Sequence, residues 1–227
     1  MKKGRRQKVS HLTLDIGTHT YKWRGCAIPG TTTVLNDVGL IDGRFFTDVS
    51  AWRGTEVHRL CQVDCEGRPE EPEQPALEGY LRGWRAFKRD TGWQSLSIEE
   101  SFHSSSHGFA GTADRIGFFP DDKEFLTVLD IKTGVSSPWA RYQTAAYILL
   151  AQENMPSETI LGRCALHLRA KGTYQIVPYS VADLREDQEV FLSALTVYNS
   201  KQKGVYNATT VDHPCERHDC TGIGPDS

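Results

Sequence analysis

The sequence predicts an α/β fold with a mixed central β-sheet flanked by helices. Short apolar or alternating segments, typical of strands, are interleaved with segments whose apolar residues recur at helical spacing. The 227 residues, 38% of them hydrophobic, suffice for one well-buried core. No internal repeat or long low-complexity linker is visible. We therefore expect a single domain over residues 1–200, followed by a polar, flexible tail over residues 201–227.

A small hairpin and two helices are predicted first. Alternating apolar residues begin at Leu12 and resume after a Gly-Thr turn as far as Trp23, a pattern typical of a hairpin. Residues 31–38 have hydroxyl side chains at their start and are expected to form a helix. Residues 49–63 form a second helical candidate, which carries His58.

The next segments predict a loop, a helix and a strand. Residues 67–74 are acidic and contain prolines, as expected of a loop. Residues 97–102 are expected to form a strand. Between them, residues 76–91 predict an amphipathic helix with core aromatic and aliphatic side chains at helical spacing: Leu77, Tyr80, Leu81, Trp84 and Phe87.

Two acids occupy neighbouring strands of a predicted hairpin. The apolar residues around Asp114 and around Asp130 indicate strands, and residues 118–124, with a Pro-Asp-Asp-Lys sequence, indicate the turn between them. The two carboxylates can therefore meet across one pair of strands. Because side chains alternate along a strand, Asp130 and Lys132 share a face. An Asp-x-Lys sequence alone also occurs in ordinary surface hairpins.

A helix follows the hairpin directly. In residues 139–150 most side chains are apolar, but Gln143 and Tyr147 lie four positions apart and so project from one helix face. Residues 160–168 and 173–179 then suggest a second hairpin. A closing amphipathic helix is expected over residues 181–199.

The motifs in this order resemble the RecB-like branch of the PD-(D/E)XK nucleases, and in particular phage-encoded exonucleases. They are Gly111-x-x-Asp114, then Leu-Asp130-Ile-Lys132-Thr-Gly, then Gln143-x-Ala-x-Tyr147. Upstream, Gly54-x-x-x-His58 resembles the helix that this branch places before its catalytic hairpin. The similarity spans roughly residues 53–150. Two departures are tolerated in this branch: Ala113 stands where the family name has Pro, and the second carboxylate is Asp130 rather than Glu.

The resemblance implies a restriction-endonuclease-like core and a metal-dependent DNA exonuclease. It implies Mg²⁺ or Mn²⁺, held by His58, Asp114, Asp130 and the Ile131 carbonyl. Lys132 would orient or deprotonate the attacking water. Gln143 and Tyr147 would position Lys132 or the scissile phosphate. With Asp114, Asp130 and Lys132, these two side chains complete the expected catalytic set.

Three further charged residues near the hairpin need assignment. Glu99 and Glu100 must lie on opposite faces of their strand, and we expect Glu100 to face the metal because it shares a face with Ile98 and Phe102. Arg115 adjoins Asp114 and is a candidate phosphate ligand, although alternation directs it to the opposite face.

No iron–sulfur cluster is expected, although some RecB-like nucleases ligate one through one upstream and three downstream cysteines. The six cysteines of this chain lack that spacing, so reduced thiols are predicted. A tail zinc site remains open. Its four candidate ligands are spaced more closely than in the usual two-pair arrangement: His213, Cys215, His218 and Cys220.

Charge and hydropathy narrow the location and the partners. The net charge of −3 disfavours bulk coating of nucleic acid and favours local basic patches around an acidic centre. No apolar run is long enough for a membrane span, and the basic start at residues 1–8 is not followed by the apolar stretch of a signal peptide. We expect a cytoplasmic enzyme, in the host cell if phage-encoded.

The expected partners are single- or double-stranded DNA with free ends, and phage recombination or replication proteins. Two alternatives remain. One is a structure- or sequence-specific endonuclease, and the other is a nonenzymatic DNA-binding module on the same scaffold.

Overall fold

The computed structural model of the chain describes residues 11–15, 17–42, 47–134 and 137–208. The first strands form a small antiparallel sheet that packs beside the larger one. The Trp23 ring stacks on His103 with centroids 4.1 Å apart, and the hydroxyls of Tyr21 and Thr112 lie 2.8 Å apart. The bounds of these strands are β1 Leu12–Asp15, β2 Thr20–Trp23 and β3 Cys26–Ile28.

The central sheet is mixed, as predicted, and its five strands lie in chain order. They are β4 Gln94–Ser104, β5 Phe109–Phe119, β6 Asp122–Lys132, β7 Ile160–Leu168 and β8 Tyr174–Pro178. Strands β6 and β7 are parallel, because a helix connects them, and each other neighbouring pair is antiparallel.

Helices cover both faces of this sheet. A capping box between Thr47 and Ser50 begins the second helix, and Gly92, with a φ of 66°, ends the third. The helices are α1 Thr31–Asp37, α2 Asp48–Cys65, α3 Pro75–Thr91, α4 Ala140–Asn154 and α5 Leu184–Ala208.

Strand β6 is buried between two apolar layers. Val128 packs in the layer formed with α1, α4 and α5, whereas Leu129 and Ile131 pack against α2 and α3. By the same alternation, Asp130 and Lys132 lie on the α4 side of the sheet. The sheet thus carries its acid and its lysine into the contact with a single helix.

Helix α3 packs unusually close to the turn between β7 and β8. A Cβ atom built on Gly79 would lie 1.6 Å from the Ala170 carbonyl oxygen, and one on Gly83 would lie 2.9 Å from the Thr173 oxygen. Glycine at both positions therefore permits the helix backbone to contact the turn directly.

Several element limits differ from those expected. Strand β4 extends well beyond residues 97–102, and α5 continues to Ala208, past the predicted domain end at residue 200. The division into a domain and a tail stays a prediction. The proposed tail ligands, from His213 to Cys220, and the basic start lie outside the described residues. No helix in the described ranges is long and apolar enough to cross a membrane.

Candidate active site

Asp114 links the two strands of the predicted catalytic hairpin. It lies one residue beyond the last paired positions, Arg115 and Leu129, where the backbone ladder between β5 and β6 stops. Its Oδ2 atom accepts a hydrogen bond from the Ile131 amide at 2.6 Å. The carboxylate thus replaces a backbone partner and is held close to β6.

His58 approaches the same point from α2. Its Nε2 atom lies 3.0 Å from the Ile131 carbonyl oxygen. Its Nδ1 atom lies 3.5 Å from Asp114 Oδ1 and 3.6 Å from Glu99 Oε1. The imidazole therefore connects β6 to two acids on neighbouring strands.

Glu99, rather than Glu100, is the β4 acid at this point. Glu99 lies opposite Asp114, between the paired positions Ile98–Arg115 and Glu100–Ala113. Glu100 is exposed and accepts a hydrogen bond from Ser97 at 2.5 Å, so the structure does not bring it to His58.

A sequence signal for Glu99 existed in the turn between β4 and β5. Residues 105–108, Ser-Ser-His-Gly, connect the paired positions Ser104 and Phe109. Counting back from this turn places Glu99 opposite Asp114. Alternation alone could not identify the acid. It shows that Glu99 and Glu100 lie on opposite faces of β4, but not which of these faces meets the site.

His58, Glu99 and Asp114 form a set that suits a divalent cation. Each offers one ligand atom, and these three atoms lie within 4.8 Å of one another. Two carboxylates and an imidazole are donors that Mn²⁺ accepts, and the carboxylates also suit Mg²⁺. The chemistry of the set therefore fits the metal that the sequence implied.

Protonation in the metal-free protein reflects this crowding of acids. Burial raises the pKa of Asp114, His58 lowers it, and Asp130 and Glu99 raise it again, to about 7. Burial lowers the pKa of His58, but the carboxylates of Asp114 and Glu99 outweigh it and raise the pKa to about 9. A cation would take the place of these protons.

Lys132 connects β6 to α4. Its Nζ atom lies 2.7 Å from Asp130 Oδ2 and donates a hydrogen bond to Gln143 Oε1 at 2.8 Å. Gln143 in turn donates to the Tyr147 hydroxyl at 2.8 Å. The four predicted residues are thus brought together as one chain of contacts. Asp130 stands outside the set of three candidate ligands, with its carboxylate on the ammonium group.

Arg115 binds Glu99 from the side of the sheet that α3 covers. The guanidinium is fully buried, its Nη1 atom lies 2.9 Å from Glu99 Oε1, and it sits 5.5 Å from the centre of the Trp84 ring. Burial raises the pKa of Glu99, but His58 and Arg115 together lower it by more, so the net shift is downward. Arg115 is therefore inaccessible to a phosphate and keeps Glu99 charged.

A cavity of about 590 Å³ borders the chain of contacts at Tyr147. Tyr21 and Thr31 line it on the side of the small sheet and α1. A Cβ atom on Gly111 would lie 2.7 Å from Thr31 Oγ1 and 2.8 Å from Tyr147 Cε1. The glycine of the Gly111-x-x-Asp114 motif thus leaves room for Tyr147 to reach the site.

Comparison with known proteins identifies one family. The model of the PD-(D/E)XK nuclease superfamily matches residues 46–221. No curated protein sequence matches the chain significantly.

Solved structures show distant similarity. An exonuclease candidate from Eubacterium rectale is 12% identical with a TM-score of 0.37, covering 70% of this chain and 77% of that one. An alkaline exonuclease from Laribacter hongkongensis is 14% identical with a TM-score of 0.31, covering 79% and 94% of the two chains. Its complex with dAMP gives a TM-score of 0.30 at 14% identity, covering 80% and 95%.

Proposed function

Because the chain belongs to the PD-(D/E)XK nuclease superfamily, we propose that it is a metal-dependent DNA exonuclease. The observation that carries the proposal is the set His58, Glu99 and Asp114, whose ligand atoms lie within 4.8 Å of one another next to the Asp130–Lys132 pair. A structural module has no need for three ionisable groups crowded at the edge of a hairpin, because burying them costs free energy.

The three side chains would hold the metal, with Asp130 and the Ile131 carbonyl as the further predicted ligands. When bound, Mg²⁺ or Mn²⁺ would lower the pKa of a coordinated water and neutralise charge on the phosphate. The Ile131 carbonyl is already oriented by His58 Nε2 at 3.0 Å, and the Ile131 amide fixes Asp114 at 2.6 Å. The hairpin therefore positions these donors before any ligand arrives.

Lys132 would act on the attacking water and the scissile phosphate. Its ammonium group donates to Gln143 and contacts Asp130, which leaves it a further N–H for an oxygen of the substrate. Gln143 is itself fixed by Tyr147, so the amide cannot rotate freely. A rigidly held cation beside the phosphate stabilises the charge that develops during hydrolysis.

The exonucleolytic mode is supported by the order of the motifs, which resembles that of phage-encoded exonucleases. The substrate would be DNA with a free end. We propose a role in phage recombination, repair or replication in the host-cell cytoplasm, carried out by one nuclease domain over residues 1–200.

Hydrolysis of end-labelled DNA by purified variants tests the proposal. Asp114→Ala and Lys132→Ala should each lose hydrolysis while keeping the wild-type circular dichroism spectrum. Lys201→Ala removes the same charge as Lys132→Ala from an exposed ion pair on α5 and should keep full activity. A wild-type rate in either active-site variant would exclude the catalytic assignment.

Metal dependence provides the second arm of this test. EDTA should abolish the wild-type activity, and Mg²⁺ or Mn²⁺ should restore it. Ca²⁺ should fail to do so. Full activity after exhaustive chelation would contradict the metal assignment.

A further inference from the structure

Most basic side chains of the described residues are paired with acids. Among those that form no ion pair with a described carboxylate, four lie on α2, on α3 and in the turn between β7 and β8: Arg53, Arg82, Arg169 and Lys171. The paired arginines include Arg59, Arg68, Arg85, Arg89, Arg115, Arg141, Arg163 and Arg185. In a chain with a net charge of −3, a group of unneutralised cations is a local feature that attracts anions.

Two of the four flank the segment that directly follows Lys132. Arg53 Nε, on α2, lies 3.5 Å from the Thr133 hydroxyl. Arg169 Nη1, just after β7, donates to the Gly134 carbonyl at 2.8 Å. The two guanidinium groups therefore contact the first and second residues after Lys132. Each makes one hydrogen bond to this segment and retains further N–H donors.

The other two lie where α3 packs on the turn between β7 and β8. Arg82 Nη2 donates to the Lys171 carbonyl at 3.3 Å. A Cβ atom on Gly172 would lie 2.2 Å from Arg82 Nε, so the guanidinium lies across the glycine of the turn. Both side chains belong to exposed residues, and the close contacts of Gly79 and Gly83 hold their backbones in place.

The four cations are connected through the segment after β6 and the turn after β7. Arg53 and Arg169 contact consecutive residues of the segment that follows Lys132. Arg169 and Lys171 belong to one turn, and Arg82 donates a hydrogen bond to the Lys171 carbonyl. The set thus runs from the end of β6 along this turn to α3.

We propose that Arg53, Arg82, Arg169 and Lys171 form a track for the phosphate backbone of the DNA, leading away from the scissile phosphate. The inference rests on the proposed nuclease function and specifies which surface carries the strand beyond the site. Guanidinium groups bind phosphate oxygens through paired N–H donors, and ammonium groups bind them as point charges. Because these contacts reach the backbone and not the base edges, binding should depend little on sequence.

The salt dependence of DNA binding tests the track without any hydrolysis. In EDTA, we would titrate a labelled duplex with wild type, Arg53→Gln, Arg82→Gln and Lys171→Gln at increasing NaCl concentrations. Each lost phosphate contact should reduce the slope of log affinity against log salt by about 0.9 for duplex DNA. The triple variant should lose about 2 to 3 in slope, since the contacts add.

Arg185→Gln is the matched control, because it removes one positive charge from an exposed ion pair on α5. It should leave the slope unchanged. A triple variant with the wild-type slope would overturn the track, even if the enzyme degrades DNA normally. Conversely, if the triple variant loses slope as expected but the wild type never hydrolyses DNA, the proposed function would be contradicted and the track would stand.

Discussion

Glu99 reaches His58 and Asp114 from a backbone with a φ of 47°, a left-handed conformation that is uncommon for residues other than glycine. Such a conformation costs on the order of 1 kcal/mol and persists where surrounding contacts hold it. Here the Arg115 guanidinium, 2.9 Å from the Glu99 carboxylate, supplies such a contact. At the scale of single residues, the site is therefore decided by local backbone geometry that an alternating pattern does not reveal.

The adjacent acids on β4 permit a matched pair of substitutions. Glu99→Gln should raise the Mn²⁺ concentration needed for half-maximal activity about tenfold or more, because it removes one of the two carboxylates among the three ligand candidates. Glu100→Gln, with the same change in charge on the neighbouring residue, should leave that concentration within twofold of the wild type. An equal effect of both substitutions would show that Glu99 has no specific part in binding the metal.

The shifted pKa values predict how the metal-free protein responds to pH. The pKa of His58 rises on folding from 6.5 to about 9, so its contribution to stability is complete below pH 6.5 and is lost as pH rises through 9. The pKa of Asp114 rises from 3.8 to about 7, so its contribution is likewise lost as pH rises through 7. In EDTA, the free energy of unfolding should thus decrease by about 2 kcal/mol between pH 7 and pH 9.

The double variant His58→Gln/Asp114→Asn separates this effect from other titrations. Both substitutions are needed, because His58 lowers the pKa of Asp114 and its loss alone would move the Asp114 titration into the same window. The free energy of unfolding of the double variant, measured by urea denaturation in EDTA, should be nearly flat between pH 7 and pH 9. A wild-type protein whose stability stays constant or increases over this range would contradict the pKa shift.

The secondary-structure elements follow largely from apolar periodicity. The alternation at β1 and β2, the helical spacing in α3 and the apolar runs around Asp114 and Asp130 each predicted the element that is observed. The close contact between α3 and the β7–β8 turn was not predictable in this way. It depends on two glycines one helical turn apart meeting a turn distant in sequence, and glycine inside a helix alone does not indicate a partner.

Two glycines in helices provide a test of the close contact between α3 and the β7–β8 turn. Gly79→Ala should destabilise the protein by about 1–3 kcal/mol, because its Cβ atom would lie 1.6 Å from the Ala170 oxygen and the helix must move. Gly54→Ala, on α2, meets no described atom within 4 Å and should stabilise by about 0.5–1 kcal/mol through helix propensity. Urea unfolding curves measure both, and similar shifts for the two variants would contradict the close packing of α3.

The whole molecule assembles its site from segments far apart in the sequence. Helix α2 contributes His58, β4 contributes Glu99, and the β5–β6 hairpin and α4 contribute the remaining side chains. Asp114, Asp130, Lys132, Gln143 and Tyr147 could be proposed from the sequence because their spacing combines strand and helix periods with a family motif. Glu99 was missed because its place depends on the register between two strands.

The distribution of charge fits a substrate that is bound by its phosphate backbone. The acidic set at the hairpin would hold the metal, and the proposed track from Arg53 to Lys171 would bind phosphates beyond it. Such a surface would not distinguish one base sequence from another.

The most direct test compares linear with covalently closed circular DNA in the presence of Mg²⁺. The wild type should shorten linear DNA progressively from a terminus and leave the closed circle intact, while Lys132→Ala should leave both intact. Discrete internal fragments from the closed circle, produced by the wild type and absent with Lys132→Ala, would show instead that the same active site belongs to an endonuclease.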